Sequence, residues 1–418
     1  MGRYTGLLGL VVILGAAWLM SSHKKDIKLR VLAWGLILQF AFALLVLKTG
    51  FGAIFQQIGV GVNAMLGYSA VGSEFVFGPL GTQAGAFPAF LKSQYGANIV
   101  FFAFQVLPIV IFIASFFAIM YYLGVMQVLV KAMAIAMQKV FGASGAESLN
   151  VAASIFMGQT EAPLTIRPFI AGLTQSELFT IMVSGMAHVS GAVMAAYVAI
   201  AHVKIEHLLT AVIMTAPATI MLAKIIMPEV DTPATAGKVE VKLEKSAVNV
   251  IDAAAQGAGD GLHLALNIGA MLIAFLSLIA MVNGILGWIH TLPYMGWLPG
   301  SLQTILGYLF SPVAWVMGVS WNDCASVGKL LGTRLVLNEF VAFLDLAQIR
   351  ATMSDRSITI ATFALCGFAN FSSIAIQIGG IGALAPNRKP DLARLGLRAV
   401  AAGSMANFMS ACIAGMLL

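Results

Sequence analysis

Long apolar segments recur along the whole chain, and they limit its fold more strictly than any other feature of the sequence. A helix needs about 20 apolar residues to cross the roughly 30 Å hydrocarbon core of a bilayer. The chain has 418 residues, of which 60% are hydrophobic and only 10% are charged, whereas soluble domains carry about a quarter charged residues. The sequence therefore predicts an all-α polytopic membrane protein without a separate soluble domain.

Eight of the apolar segments are predicted to be transmembrane helices. They lie near residues 4–20, 31–49, 98–122, 178–200, 207–227, 262–288, 358–384 and 396–417. The first is followed by a basic loop without a small-residue cleavage site, so we interpret it as a retained helix and not as a signal peptide. The three cysteines are widely spaced in apolar surroundings, a pattern that favours packing roles over a disulfide or a metal site. They are Cys324, Cys366 and Cys412.

Basic residues cluster in short loops beside the predicted spans, and this distribution predicts the orientation of the chain. The densest clusters lie at residues 24–30 and 388–394. Cytoplasmic loops carry an excess of Lys and Arg, so both loops are predicted to face the cytoplasm of a bacterial inner membrane, with both termini outside. Three linker lysines fall on the same side in this topology: Lys238, Lys242 and Lys245. The net charge of +6 then reflects orientation, and nucleic acid is not expected as a partner.

Three further segments differ from simple spans. Val125–Phe141 has polar residues on one helical face and apolar residues on the other, which is typical of a helix lying in the membrane interface. Residues 143–173 and 301–346 are apolar but interrupted near their middles by polar residues, so each is predicted to be a re-entrant hairpin. Non-helical backbone at membrane depth is tolerated only where protein or a wet cavity satisfies it. The hairpins are therefore predicted to line a transport path.

An eight-residue pattern occurs twice and predicts an internal repeat. Ser184–Gly191 (SGMAHVSG) aligns without gaps on Cys366–Ser373 (CGFANFSS). Each octet follows a glutamate-containing hairpin and interrupts a long apolar span, and in the predicted topology the second copy crosses the membrane in the opposite direction. Inverted repeats that bring broken helices together near the midplane are a transporter architecture. A chance match in a chain rich in Gly and Ala is the alternative.

Glu161 and Glu339 are the candidate functional residues of the two hairpins. An ionised carboxylate among apolar neighbours costs on the order of 3 kcal/mol on insertion scales, so each needs a partner or a wet cavity. They either pair with Arg167 and Arg334 to hold the hairpins in shape or bind a substrate. The nearby amides and hydroxyls suit a ligand rich in hydroxyls and ring amides.

An enzyme using the two glutamates as an acid–base pair is a further alternative. No nucleophile, metal cluster or cofactor motif accompanies them in the sequence, so neither catalytic residues nor a cofactor are expected. A passive channel is disfavoured as well, because hairpins and inverted repeats build alternating sites. The sequence therefore favours a transporter over both.

Three motifs are similar to those of the concentrative nucleoside transporter family. They are GQTEAP at residues 158–163, GTRLVLNEFVAF at 332–343 and GFAN at 367–370. The resemblance runs essentially end to end. It implies a homotrimer with an elevator mechanism, in which scaffold spans one, two, three and six surround a mobile domain of both hairpins and the other spans. The chain then divides into residues 1–142 and 228–290, which supply scaffold, interfacial helix and linker, and residues 143–227 and 291–418, which carry the two repeats.

The same resemblance implies two halves of a nucleoside site. The nucleobase half consists of Gln159, Thr160, Glu161 and Val193. The ribose half consists of Glu339, Asn370, Ser373 and Phe368. The ribose role agrees with residue chemistry, because a buried carboxylate is a strong acceptor for vicinal hydroxyls. For Phe368, plain core packing is the alternative.

The family's sodium site falls on positions where this sequence departs from the family pattern. The four positions are Ser154, Met157, His188 and Val189. Sodium-coupled relatives typically have Asn at the first and Ser or Thr at the third. Sodium prefers oxygen ligands, whereas an imidazole with an ordinary pKa near 6.5 carries a proton in the physiological range. We therefore predict a proton-coupled nucleoside symporter; in the alternative, sodium binds while His188 only donates a hydrogen bond to a carbonyl.

Overall fold

The protein is a bundle of α-helices, seen in a computed structural model that describes residues 2–49, 52–82, 101–237 and 247–418. No β-strand occurs within these ranges, and the all-α class is confirmed. The linker residues Lys238, Lys242 and Lys245 lie outside the described residues, as do residues 98–100 of the third predicted span.

The helices are named in chain order. They are α1 (Gly2–Leu19), α2 (Leu29–Lys48), α3 (Gly52–Phe77), α4 (Phe102–Tyr122), α5 (Val125–Phe141), α6 (Gly145–Ser154), α7 (Gln175–Ala187), α8 (Gly191–Ala201), α9 (Ile205–Ile226), α10 (Val250–His290), α11 (Leu302–Val316), α12 (Trp321–Val336), α13 (Glu339–Ile349), α14 (Asp355–Leu365), α15 (Phe371–Leu384) and α16 (Lys389–Leu417). A 3₁₀ segment, Ala162–Gly172, lies between α6 and α7.

Each predicted span coincides with a helix or a broken helix. Those long and apolar enough to cross a membrane within the described ranges are α2, α4, α7 with α8, α9, α10 and α16. The first predicted span, α1, is shorter, and the seventh consists of α14 and α15 separated by residues 366–370. The breaks between α7 and α8 and between α14 and α15 fall on the repeated octets, so the predicted helix interruptions are confirmed.

The amphipathic segment forms a helix, α5, with the predicted bounds. It begins after Gly124, at φ 84°, and ends before Gly142, at φ 67°. Such left-handed backbone is accessible to glycine at little cost and terminates a helix. One face is buried at intervals of three or four residues: Met126, Val130, Ala134, Met137 and Phe141. The helix therefore packs on the protein with the face that the sequence pattern predicts.

Two parts of the fold differ from the predictions. Helix α3 spans 26 residues where no element was predicted, because glycines and polar side chains interrupt its apolar pattern. The second hairpin was predicted over residues 301–346, but α11 is a separate helix, bent by 119° from α12. The bend lies next to Gly318, at φ 96°. The hairpin itself consists of α12 and α13, so α11 precedes it as α5 precedes the first hairpin.

The helices differ in how deeply protein encloses them. The most apolar window is 94% buried in α7 with α8 and 89% buried in α9, but only 22% buried in α4 and 17% in α10. Helix α10 packs closely against α4. A side chain in place of Gly257 of α10 would put its Cβ only 2.5 Å from the Cβ of Ala118 of α4, so the two helices need glycine at this contact. Helices α7, α8 and α9 thus lie in the interior of the bundle, and α4 and α10 form an outer layer.

Candidate functional site

The tip of the second hairpin presents Glu339 at the start of α13. The chain leaves helical geometry at Leu337, with φ −106° and ψ −93°. Asn338 then caps α13, its Oδ1 accepting a hydrogen bond from the backbone nitrogen of Val341 at 2.9 Å. A helix N-terminus carries partial positive charge, so this position stabilises the carboxylate of Glu339, which is only 5% exposed.

Two side chains from other helices hold the carboxylate of Glu339. The Tyr197 hydroxyl donates to Oε1 at 2.9 Å, and Asn370 Nδ2 donates to Oε2 at 3.1 Å. Tyr197 stacks on Phe343 with ring centroids 4.3 Å apart, which fixes the hydroxyl. Each carboxylate oxygen has room for a second donor, so Glu339 keeps free acceptor capacity. Tyr197 was not predicted; its only signal in the sequence is a hydroxyl in the otherwise apolar α8.

Asn370 caps α15 at the break in the second repeat. Its Oδ1 accepts from the backbone nitrogen of Ser373 at 2.9 Å and from Ser372 Oγ at 2.7 Å, so Nδ2 must point to Glu339. Ser373 Oγ donates to the carbonyl of Phe368 at 2.5 Å. The structure therefore joins the four residues predicted for ribose in one hydrogen-bonded group, although Phe368 takes part through its backbone.

The tip of the first hairpin reaches this group through Gln159. Its Nε2 donates to Ser373 Oγ at 3.1 Å, across 214 positions of sequence. Glu161 instead accepts a hydrogen bond from the backbone nitrogen of Gly158 at 3.1 Å and is exposed, as is Thr160. Val193 is buried in the first turn of α8. Of the residues predicted for the nucleobase, only Gln159 directly contacts those predicted for ribose among the hydrogen bonds described.

The residues predicted for the coupling ion lie where two half-helices end side by side. Ser154 is the last residue of α6, and His188 follows the last residue of α7. The backbone nitrogen of Gly191 donates to the carbonyl of Phe156 at 3.1 Å, which joins the two breaks. Ser154 Oγ donates to the carbonyl of Asn150 at 2.9 Å. Met157 and Val189 have apolar side chains, so only their backbone groups could bind an ion.

His188 has one engaged and one free ring nitrogen. Nδ1 lies 2.9 Å from the carbonyl of Ser184. A carbonyl only accepts hydrogen bonds, so Nδ1 carries the hydrogen. Nε2 is buried and has no hydrogen-bond partner among the described residues. The neutral ring therefore keeps an unused lone pair on Nε2.

The ion pairs considered from the sequence are not found among the described ion pairs. Those involve Lys224, Arg388 and Arg394 with other acidic residues. Arg167 is exposed. Arg334 is only 1% exposed and donates to the carbonyl of Ala364 at 2.6 Å and to that of Gly367 at 3.2 Å. The guanidinium thus holds the broken helix of the second repeat and leaves Glu339 to other partners.

Asn407 of α16 completes this buried centre, and no prediction included it. Its Oδ1 accepts from Arg334 Nη2 at 2.5 Å. Its Nδ2 donates to the carbonyls of Ala187 at 2.7 Å and Cys366 at 2.9 Å. One amide therefore ties the broken helices of both repeats to an arm of the second hairpin. A polar residue within an apolar span was its only signal.

A second buried polar cluster fastens the opposite ends of the first-repeat helices. Lys224 Nζ lies 2.5 Å from Glu147 Oε1 and 3.2 Å from Glu229 Oε2, and donates to Ser176 Oγ at 2.8 Å. Glu147 also closes a capping box with Ser144 at the start of α6. The cluster links the starts of α6 and α7 to the end of α9.

Metal-binding clusters and disulfides are not seen in the described ranges. No group of three or more His, Cys, Asp or Glu residues there is arranged to hold a metal ion. The cysteines Cys324, Cys366 and Cys412 are buried and form no disulfide.

Comparisons with known proteins cover nearly the whole chain. The family descriptions "Na+ dependent nucleoside transporter N-terminus", "Nucleoside recognition" and "Na+ dependent nucleoside transporter C-terminus" match residues 8–80, 103–204 and 207–415. The nucleoside permease NupC of Helicobacter pylori is 38% identical over 99% of this chain and 97% of its own length. The chain belongs to the concentrative nucleoside transporter family. The predicted resemblance is confirmed, and the protein is a membrane transporter and not an enzyme.

A further relative and two solved structures extend the match. An uncharacterized transporter of Bacillus subtilis, YutK, is 46% identical over 99% of both chains. A structure of CNTnw in an inward-facing substrate-bound state has a TM-score of 0.91 and 40% identity, covering 100% of this chain and 98% of that one. An outward-facing variant of CNTnw has a TM-score of 0.92, 41% identity and the same coverage. The same fold thus occurs in an inward-facing and an outward-facing state of a solved relative.

Proposed function

We propose that this protein imports nucleosides across the bacterial inner membrane and couples their movement to protons. The observation that carries the substrate proposal is the hydrogen-bonded group of Glu339, Asn370 and Ser373 at the junction of the two broken repeats. A ribose presents vicinal hydroxyl donors, and Glu339 offers charged acceptors at a helix N-terminus with capacity left over. Relatives described as nucleoside transporters support the same substrate class.

The nucleobase is proposed to lie toward the first hairpin. Gln159 reaches the ribose group through Ser373, 3.1 Å away, so a base attached to that ribose would lie against the tip. Thr160 and Glu161 are exposed beside it and offer a hydroxyl and a carboxylate for polar edges of a base. Val193 supplies apolar surface for the ring.

Proton coupling is proposed because of His188. Its Nε2 is buried and has no hydrogen-bond partner in the described part of the chain. An imidazole nitrogen with a free lone pair is the atom that can accept a proton. Ser154 and His188 also both differ from the Asn and the Ser or Thr that sodium-coupled relatives typically have at these positions. The family descriptions name sodium as the coupling ion, so a sodium-coupled symporter is the alternative.

Uptake in proteoliposomes with two independent ion gradients decides between the ions. Labelled uridine and adenosine would be offered with a sodium gradient at fixed pH and with a pH gradient in choline. Accumulation driven by the pH gradient and lost in His188→Ala supports proton coupling. Accumulation driven by sodium that survives His188→Ala refutes it.

The transport cycle is proposed to be an elevator within a homotrimer. Residues 1–142 and 228–290 would form scaffold and linker, while the two repeats in 143–227 and 291–418 would form the mobile domain. The deep burial of α7, α8 and α9 and the outer position of α4 and α10 support this division. Loaded and empty domains must cross more easily than half-loaded ones, because coupling requires differential affinity between states.

Counterflow separates a carrier of this kind from a channel. Proteoliposomes preloaded with unlabelled uridine should transiently accumulate labelled uridine without any ion gradient, because one site carries substrate in both directions. Passive equilibration without this overshoot would contradict the carrier. Both termini are proposed to lie outside, which labelling of cysteines introduced at the two ends of the chain would test in intact cells.

A further inference from the structure

Gln377 of α15 is buried beside the proposed nucleoside site without being part of it. Its side chain is 0% exposed, and a Cβ at Gly185 of α7 would be 2.7 Å from its Nε2. Gln377 therefore occupies a closely packed position between the two repeats. An amide in such a place needs specific hydrogen bonds, because unsatisfied buried polar groups are costly.

The hydrogen bonds of Gln377 fix the direction of its own amide. Nε2 lies 3.1 Å from the carbonyl of Met182 and 3.2 Å from Gln159 Oε1. The Met182 carbonyl only accepts, so the nitrogen of Gln377 must face it. The same nitrogen then donates to Gln159, which must turn its oxygen toward Gln377.

The orientation of the Gln377 amide fixes the orientations of Gln159 and Ser373 in turn. With Oε1 facing Gln377, Gln159 turns Nε2 toward Ser373 Oγ, 3.1 Å away. Ser373 accepts this bond and gives its own hydrogen to the carbonyl of Phe368 at 2.5 Å. The chain of bonds thus begins and ends on backbone carbonyls, which permit only one order of donors and acceptors.

We propose that Gln377 is a positioning residue that sets nucleobase selectivity by locking the amide of Gln159, an inference that rests on the proposed nucleoside transport. A free glutamine amide turns over easily, since its two ends have nearly the same shape. Because this amide is locked, Gln159 presents the second hydrogen of Nε2 and the second lone pair of Oε1 to a nucleobase in one fixed order. Ser373 in turn only accepts from a ribose hydroxyl.

A fixed order of donor and acceptor distinguishes two classes of base. Uridine and inosine carry a carbonyl acceptor next to a ring N–H donor, whereas cytidine and adenosine carry an amino donor next to a ring nitrogen acceptor. A locked amide matches one class and mismatches the other, and sites built on hydrogen bonds reject mismatched analogues strongly. The protein should therefore prefer one class in both pairs, by at least about tenfold.

The test compares inhibition constants of the four nucleosides against labelled substrate, together with their binding to purified protein by calorimetry. Gln377→Met removes the amide at similar size and should reduce the class preference about tenfold. Gln377→Glu should also reduce the preference, because its carboxylate cannot donate to the Met182 carbonyl or to Gln159 Oε1. Ile376→Met, at a 41% exposed position of the same helix, is the matched control and should keep the wild-type preference.

Several outcomes overturn the inference. It fails if the wild type binds both members of each pair equally, or if the variants weaken all four nucleosides by the same factor, since that is a packing effect. Calorimetry keeps the test valid when a variant binds but does not transport. A wild type that binds no nucleoside refutes the proposed function itself.

Discussion

Replacing Glu339 by glutamine tests whether its charge holds the ribose. Glutamine has nearly the same shape as glutamate, and the two hydrogen-bond partners of Glu339 can accommodate an amide. Asn370 cannot turn over, because its Oδ1 is occupied by Ser373 and Ser372, so the new amide would place its oxygen toward Asn370. The amide nitrogen would then face the hydroxyl of Tyr197, which can rotate to accept. The fold should persist while the acceptor loses its charge.

The expected loss follows from the bonds that the ribose would make. A hydrogen bond to a charged group contributes about 1.5–3 kcal/mol and a neutral one about 0.5–1.5 kcal/mol. Two ribose hydroxyls on Glu339 would therefore lose about 2–3 kcal/mol together, and the nitrogen end would present a donor instead of an acceptor. Nucleoside Kd should rise by about 30- to 150-fold.

Calorimetry on purified Glu339→Gln measures this loss directly, with 2′,3′-dideoxyuridine as the matched ligand. The dideoxynucleoside lacks the donors in question, so its affinity should be nearly the same in wild type and variant. An unchanged Kd for uridine in a folded variant would refute the charged grip. An equal loss for both ligands would mean that Glu339 acts on the fold and not on the ribose.

Two predictions concern stability. Asn407→Leu removes three buried hydrogen bonds, one of them from a guanidinium, and should destabilise the protein by about 3–5 kcal/mol, seen as a lower Tm by size-exclusion chromatography after heating; an unchanged Tm would contradict the role of this amide. Lys224→Met strands the carboxylate of Glu147, which is 1% exposed, and should cost about 3–5 kcal/mol. Much of that loss should return in Lys224→Met combined with Glu147→Gln, and a single variant as stable as wild type would speak against the ion pair.

Local patterns in the sequence predicted helix α5 and the two breaks in the long helices. The bounds of α5 follow from its amphipathic spacing and its flanking glycines, and both helix breaks follow from the repeated octets. Helix α3 was missed because its glycines and amides lower hydropathy without preventing a helix. The separation of α11 from the second hairpin was missed because it depends on one positive φ angle, at Gly318, which hydropathy does not register.

The candidate site was predictable only where motifs mark it. Glu339 and Asn370 lie in the family motifs and Ser373 lies in the repeated octet, and the structure brings the three together. Their supports were not identified, because Tyr197 lies 142 positions from Glu339 and Gln377 lies 218 from Gln159. Contacts of that range depend on how the repeats pack, which a single sequence does not encode in any local pattern.

The bonds of Arg334 and Asn407 also limit how early the buried centre of the bundle can form during synthesis. Arg334 emerges from the ribosome 73 residues before Asn407, and the carbonyl of Ala187 emerges 220 residues before it. Until α16 is inserted, a guanidinium and two helix-end carbonyls lack their common partner inside the nascent bundle. The buried centre that these bonds join can therefore close only in a late step, when the final helix arrives.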